Sequence, residues 1–329
     1  MKKLILGLIF SSIMLVTTSA KAAGEKVMIS DLSWTGAKVI GHIIKAVING
    51  PLNSEAEIVQ GLSDGNLIMA GMDKGDGKID VYTDLWMPNR QGIWDQYIDG
   101  NKTVAVNTPY KGTQDMYVPA FLKSKVPDVA AMKDPNVAAM FDTDGNGKGE
   151  YWAGDAGWKS TKMWQVKFKS YGLTDLWEPN IIPQDTFKAQ LKDAIDNQKP
   201  ILFYYWTPEW LHAAYDLHEI GEPAYTEGCD SNMNLDAEDW LEVSEFPCKS
   251  RQATIYVAYS KSLEKRNPKA AKFLSQMAMD PKVINQWILK VGRDEMDADD
   301  MAEEWVKNNM ATVNKLSLIH ISEPTRRSY

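Results

Sequence analysis

The chain has 329 residues, a formal net charge of −8, four histidines and two cysteines. An acidic balance excludes nucleic acid as a partner, because a phosphate backbone demands a basic patch, and it points to a well-solvated surface. Two cysteines without a nearby histidine also make a poor zinc site.

The chain opens with Met1-Lys2-Lys3, an apolar run from Leu4 to Val16, and small residues ending in Ala20-Lys21-Ala22. That is the order of an export signal with an A-x-A cleavage site, so residues 1–22 are expected to be removed and the protein to be periplasmic. Loss of Lys2, Lys3 and Lys21 lowers the charge to −11. The run is too short to span a bilayer, and no later stretch of about 18 apolar residues replaces it. Neither cysteine lies at the cleavage site, so no membrane or lipid anchor is expected. Roughly 290 mature residues exceed one ordinary core, which predicts two lobes.

Val27 to Trp34 reads as a buried strand running into an amphipathic helix, with Val39, Ile40, Ile43, Ile44, Val47 and Ile48 at helical spacing. Asn49-Gly50-Pro51 stops it. Short strands follow at Glu57–Gln60, Lys78–Tyr82 and Thr103–Asn107, separated by helices, and this alternation predicts an α/β layer on a mostly parallel sheet. A second strand-helix series runs from Gln114–Val118 to Lys199–Trp206, with Pro208 placed to start a helix. Cys229 and Cys248 share one polar segment, and an oxidising compartment favours a disulfide between them. Ala253–Tyr259 is a late strand, and helices are predicted over 268–279, 283–291 and 301–314. Residues 316–329 show no helix or strand period. They read as translated sequencing-adapter sequence, with a natural disordered tail as the alternative.

Twelve tryptophans are many for this length. Trp34, Trp86, Trp158 and Trp206 stand at the ends of elements, Trp86, Trp158 and Trp206 beside Gly or Pro, where an open α/β sheet forms its ligand crevice. A trimethylammonium group has a diffuse charge and no N–H donor, so ring faces grip it better than hydrogen bonds do. Each desolvated contact contributes about 2 kcal/mol, and three or four approach the ~8 kcal/mol of micromolar binding. Any one tryptophan is more simply explained as packing, and Trp94, Trp164, Trp177, Trp240, Trp287 and Trp305 are read that way.

Asp142-Thr-Asp144-Gly-Asn146-Gly-Lys148-Gly-Glu150 places oxygen donors at alternate positions, with the Lys148 carbonyl between side chains, as in a calcium loop. The twelfth position, where such loops carry a bidentate glutamate, is Ala153. A single structural calcium closed by Glu150 is expected; an Asp/Asn/Gly turn without an ion is the alternative.

Phe203-Tyr-Tyr-Trp-Thr-Pro-Glu-Trp210 and Lys78-Ile-Asp-Val-Tyr-Thr-Asp-Leu-Trp-Met-Pro88 resemble segments of the substrate-binding proteins of ABC importers for glycine betaine, proline betaine, choline and trimethylamine N-oxide. The resemblance runs from about Met28 to Asn314. It implies a type II periplasmic-binding-protein fold, α/β, with two lobes, each a mixed sheet flanked by helices about a hinge. Lobe I would hold 23–112 and 260–315, and lobe II 113–259 with the hairpin 142–150. The resemblance also implies a monomer, a permease partner, and a cage of Trp34, Trp86, Tyr117, Trp158 and Trp206. The choline branch carries an Asp two residues after its first cage Trp, where this chain has Gly36, which disfavours choline. Betaine binders flank their third Trp with a cysteine pair, absent around Trp158, so the chain looks closer to the trimethylamine N-oxide-binding members. An acidic side chain, with Glu150 or Asp155 the nearest, or a bound water would then contact the N-oxide oxygen. Hairpins like 142–150 also occur in that family. The rival reading is a secreted hydrolase using Asp155 with Glu209 as paired carboxylates; no Gly-x-Ser-x-Gly or His-Glu-x-x-His motif supports it. The four histidines form no cluster that would suggest a metal-binding protein.

Overall fold

The computed structural model describes residues 24–317, so the expected signal segment 1–22 lies outside the described residues, as does all of the expected tail beyond Ser317. Strand β1 (Val27–Ser30) leads through a short loop into helix α1 (Thr35–Asn49). All six apolar residues that predicted this helix are buried, and the Gly50 N–H closes its last turn on the Ala46 carbonyl at 3.0 Å. Strand β2 (Ala56–Val59), helix α2 (Gly65–Lys74), β3 (Val81–Met87) and β4 (Val104–Val106) follow. Asp64 caps α2 by accepting the Asn66 and Leu67 N–H groups, both at 2.9 Å, which satisfies two of the amides a helix start leaves bare. β1 lies parallel to β2 from Val27↔Ala56 to Ser30↔Val59, and parallel to β3 at Ile29↔Val81.

The rest of the sheet comes from β5 (Tyr110–Pro119), β6 (Gly149–Gly154), β7 (Trp177–Ile181), β8 (Phe203–Thr207), β9 (Leu217–Glu219) and β10 (Ala253–Ser260). The strand order is β2-β1-β3-β10-β5-β8-β6-β7, with β4 on β10 and β9 on β5. Pairing is parallel at both ends and antiparallel through the centre, from β3 across β10 and β5 to β8. The sheet is therefore mixed, and not mostly parallel as the alternation of strands and helices alone suggested. The difference lies in β5 and β10, the two strands that carry the chain out of the first set of strands and back.

β5 changes partner midway. Tyr110 to Gly112 pair with β10, and Thr113 to Tyr117 pair with β8. Gly112 sits at that switch because a side chain there has no room: a Cβ would lie 2.3 Å from the Thr207 carbonyl oxygen and 3.1 Å from the Trp86 ring. β10 pairs with β3 and β4, so residues 253–259, grouped above with 113–252, hydrogen-bond to strands of the first set.

Helices Pro281–Gly292 and Ala298–Asn308 pack on α1. The single helix expected over 301–314 is two, because Asn309 leaves helical geometry and its side chain donates to the Trp305 carbonyl at 2.8 Å; Met310–Ser317 forms the second. Cys229 and Cys248 are disulfide-bonded. Among the described residues no helix is long and apolar enough to cross a membrane.

Candidate ligand-binding site

The two-residue period of a strand puts Tyr82, Asp84 and Trp86 on one face of β3, and Tyr204 and Trp206 on one face of β8. Trp34 is the last residue before α1, and Trp158 the last before helix Lys159–Ser170. All of them line one cavity of about 40 Å³. The four tryptophans picked out from the sequence as a set are thus brought together, from four separate segments.

The rings form walls. Trp158 stands edge-on to Trp34, with centroids 5.8 Å apart and planes at 79°, and edge-on to Trp206 at 5.2 Å and 83°. Trp206 in turn stacks on Tyr205 at 4.3 Å. The Trp158 Nε1–H donates to Ser33 Oγ at 2.9 Å, which ties it to the loop that carries Trp34.

Asp84 holds the other two. Its Oδ2 accepts the Trp34 Nε1–H at 2.5 Å and the Trp86 Nε1–H at 3.0 Å, while Oδ1 accepts the Tyr110 hydroxyl. The carboxyl is only 2% exposed. Burial pushes its pKa up, and the Tyr110, Trp86 and Trp34 donors pull it back. Burial also drives the Tyr110 phenol well above its ordinary value, so that group remains a donor.

The remaining lining is polar. Asn89 and Gln114 exchange two amide hydrogen bonds at 2.8 and 3.2 Å, and the Tyr204 hydroxyl donates to Gln114 Oε1 at 3.3 Å. Lys159 donates to the Leu235 carbonyl at 3.0 Å and to the Asp236 carboxylate. Burial lowers its pKa and the Asp236 contact opposes that fall. Arg90 completes the lining and is 8% exposed.

Four sequence-based candidates lie elsewhere. Tyr117 is separated by an odd number of residues from Gln114 on β5, so it faces the other side of the sheet, where it packs on Phe203 and, edge-on at 4.9 Å, on His212. Glu150 accepts the Thr143 hydroxyl and N–H in the hairpin and lines no part of this cavity. Asp155 is a turn residue: its backbone oxygen accepts the Trp158 N–H at 3.0 Å and the Thr161 hydroxyl at 2.6 Å. Glu209 is buried off the cavity, with Oε1 on the Trp210 N–H at 3.0 Å. The paired carboxylates that a hydrolase would need are therefore not presented to this cavity. Sequence reasoning missed Asp84, Asn89, Arg90, Gln114 and Lys159. For Asp84 a signal existed, since it lies two residues before Trp86 on a strand and so must share its face.

Of the donors that the spacing implied, the side chains of Asp144 and Glu150 converge, whereas those of Asp142 and Asn146 are engaged by hydrogen bonds, and one donor comes from outside the loop. Asp142 closes the turn by accepting the Gly145 and Gly147 N–H groups at 2.7 and 2.9 Å. Asn146 accepts the Lys148 N–H at 2.8 Å and donates to Glu178 Oε1 on β7 at 2.6 Å. Carboxylate oxygens of Asp144, Glu150 and Glu178 lie within 4.8 Å of one another. Three converging hard oxygen donors fit a cation such as calcium. Glu178, far off in sequence, could not be read from the loop.

A family model for the substrate binding domain of ABC-type glycine betaine transport systems matches residues 25–308. The chain is similar to the glycine betaine/proline betaine-binding periplasmic protein of Escherichia coli (strain K12), 27% identical over 207 residues, which are 60% of this chain and 58% of that protein. It is also similar to the glycine betaine/carnitine transport binding protein GbuC of Listeria monocytogenes serotype 1/2a (strain 10403S), 25% identical over 162 residues, 49% of this chain and 46% of that protein. The chain spans about half the length of the curated relatives it matches. Among solved structures, the glycine betaine/L-proline-binding protein ProX from Borrelia burgdorferi superposes with a TM-score of 0.69 at 17% identity, over 90% of this chain and 97% of that one. Lactococcal OpuAC, closed around glycine betaine, gives 0.67 at 16% identity, over 89% and 100%. At such identities the likeness is one of fold.

Proposed function

Because the chain belongs to the family of substrate binding domains of ABC-type glycine betaine transport systems, we propose that it captures a methylated-amine osmolyte, trimethylamine N-oxide or glycine betaine, in its tryptophan cage and hands it to the importer's permease. The observation that carries this reading is the convergence of Trp34, Trp86, Trp158 and Trp206 on one small cavity, with Asp84 bonded to two of the indoles. Ring faces attract a methylated cation that offers no N–H. A carboxylate on the Nε1 side of two indoles enriches those rings in electron density and adds its own negative charge.

The cage is expected to work by closure. Trp34 and Trp86 come from segments around β1 and β3, while Trp158 and Trp206 come from segments around β6 and β8. A cation between the pairs favours the state in which all four rings meet, which is how a ligand drives hinge closure. In this reading the lobe boundary falls where β5 changes partner, at 112/113, and again just ahead of β10. The protein acts in the periplasm, as a relative named a periplasmic binding protein suggests, and in this reading it acts as a monomer. No step of this cycle breaks a covalent bond.

Isothermal titration of the purified protein with trimethylamine N-oxide, glycine betaine, choline and proline tests the reading. One methylated amine is expected to bind, and Trp86→Ala and Trp206→Ala each to lose it; a protein that binds none of them is not an osmolyte carrier. We also propose that the 142–150 hairpin holds one structural calcium through Asp144, the Lys148 carbonyl, Glu150 and Glu178. The expected sign is a rise in Tm on adding calcium to chelated protein that Glu178→Gln diminishes, with ligand affinity unchanged.

A further inference from the structure

Helix α1 begins without a cap of its own. Trp34, the residue before it, offers its amides no side-chain acceptor, and its first turn carries no acidic residue. Helix α2 and helices Pro268–Gln276, Pro281–Gly292 and Ala298–Asn308 are built differently, each with an Asp or Asn that accepts backbone N–H groups at its own start. A bare first turn leaves donors unsatisfied and exposes the positive end of the helix.

For α1 the acceptor comes from 149 residues away. Gln184, the first residue of helix Gln184–Asp196, accepts the Thr35 N–H on Oε1 at 3.4 Å. It is 3% exposed, and its Nε2 donates to the Tyr205 hydroxyl at 3.0 Å. Tyr205 in turn stacks on the cage ring of Trp206. One turn along the same helix, Lys188 Nζ donates to Thr35 Oγ1 at 2.9 Å. Trp210 closes the cluster: a Cβ on Gly292 would lie 2.6 Å from its Nε1 and 3.3 Å from Thr35 Cγ2. Neither Gln184 nor Lys188 lines the ligand cavity.

We infer that Gln184 and Lys188 are a latch, which caps α1 from across the cleft when the protein closes and so sets how long the ligand stays without touching it. The inference rests on the closure reading of the cage and names contacts that hold the closed state. Thr35 moves with Trp34 and α1, whereas Gln184 and Lys188 stand between β7 and β8 in the chain. Opening at the boundary where β5 changes partner therefore parts them, and the Thr35 N–H and hydroxyl return to water. Closure restores both bonds and, through them, fixes the residue next to one cage ring and the tyrosine behind another. Because the bonds form after the ligand has entered and must break before it leaves, they act on departure and not on capture.

Stopped-flow tryptophan fluorescence on the purified protein, with trimethylamine N-oxide and with glycine betaine, separates the two rates. Thr35→Val and Lys188→Met break the same bond from either side. Each is expected to raise koff about 3- to 10-fold, the scale of one hydrogen bond, with kon unchanged. Lys188→Met added to Thr35→Val is expected to raise koff little further, since the bond is already gone. Gln184→Ala, which removes the cap, is expected to raise koff by a similar factor. The unliganded Tm of Thr35→Val and Lys188→Met should match the wild type, because the open protein has no latch to lose. Wild-type koff in both single variants overturns the inference. So do effects on koff that add in full, or an unliganded Tm that falls as koff rises, the mark of a contact present in every state. Wild-type protein that binds neither ligand overturns the cage reading itself.

Discussion

Asp84 and Glu209 are almost equally buried, at 2% and 3% exposure, and each sits within three residues of a cage tryptophan, yet the fold treats them in opposite ways. Asp84 has donors on both oxygens, two indoles and a phenol. Glu209 accepts the Trp210 N–H on Oε1, and Oε2 has no partner at good hydrogen-bond geometry, although Gln184 and Tyr205 stand close enough to favour its ionised form. Its pKa is pushed up to about 7, chiefly by burial, with Lys188 as the main opposing influence. Burial raises both carboxyls, but Asp84 is the one with donors bonded to both of its oxygens. The comparison teaches that the two sides of the cavity are held by different forces. Trp34 and Trp86 are fixed by polar bonds to a single acceptor, whereas Trp206 is fixed by packing against Tyr205 and Tyr204.

The contrast predicts unequal responses to single changes. Asp84→Ala strands one buried donor, Tyr110, and two part-buried indoles, at about 1–3 kcal/mol each. It is expected to cost about 3–6 kcal/mol in urea unfolding and at least 100-fold in ligand affinity with every cage ring still present. A loss no larger than that of an ordinary core polar residue would show that the indoles hold themselves. Glu209→Gln comes next and has a sign. A carboxyl whose folded pKa lies above its unfolded value of 4.5 costs nothing at low pH, and takes stability away as pH rises from 4.5 to about 7. The wild type should therefore lose up to about 3 kcal/mol across that window, at 1.36 kcal/mol per pKa unit, and Glu209→Gln should flatten the slope. Equal slopes in the two proteins would mean that Glu209 is ionised without cost. The smallest effect belongs to Ser33→Ala, which removes the acceptor of the Trp158 Nε1–H. About 1 kcal/mol of stability and a few-fold in affinity are expected, because ring packing on Trp206 and Trp152 still holds Trp158.

How much of this was legible in the sequence follows from how far apart the partners stand. α1 announced itself through six apolar residues at helical spacing, and the four tryptophans through their places at the ends of elements. Gly112 gave no hint that one strand would serve two partners, since its reason is the Thr207 carbonyl nearly a hundred residues away. Tyr117 was drawn from a likeness between segments, and strand parity relative to Gln114 overruled it. Glu150 and Asp155 were chosen for nearness in sequence to Trp158, but a hairpin and a turn point them elsewhere. Arg90 and Lys159 looked like two of many surface cations, and nothing local marks a charge that tertiary packing will bury. Glu178 reaches the hairpin by the parallel pairing of β6 with β7, a contact that loop spacing does not encode.

The near-perpendicular meeting of Trp158 with Trp34 and Trp206 makes the cavity optically active in its own right. Indole transitions this close couple as excitons, with a rotational strength set by the angle between the rings. A cation seated among them changes that angle and the local field together, so circular dichroism in the aromatic bands reports occupancy of the site with no label attached.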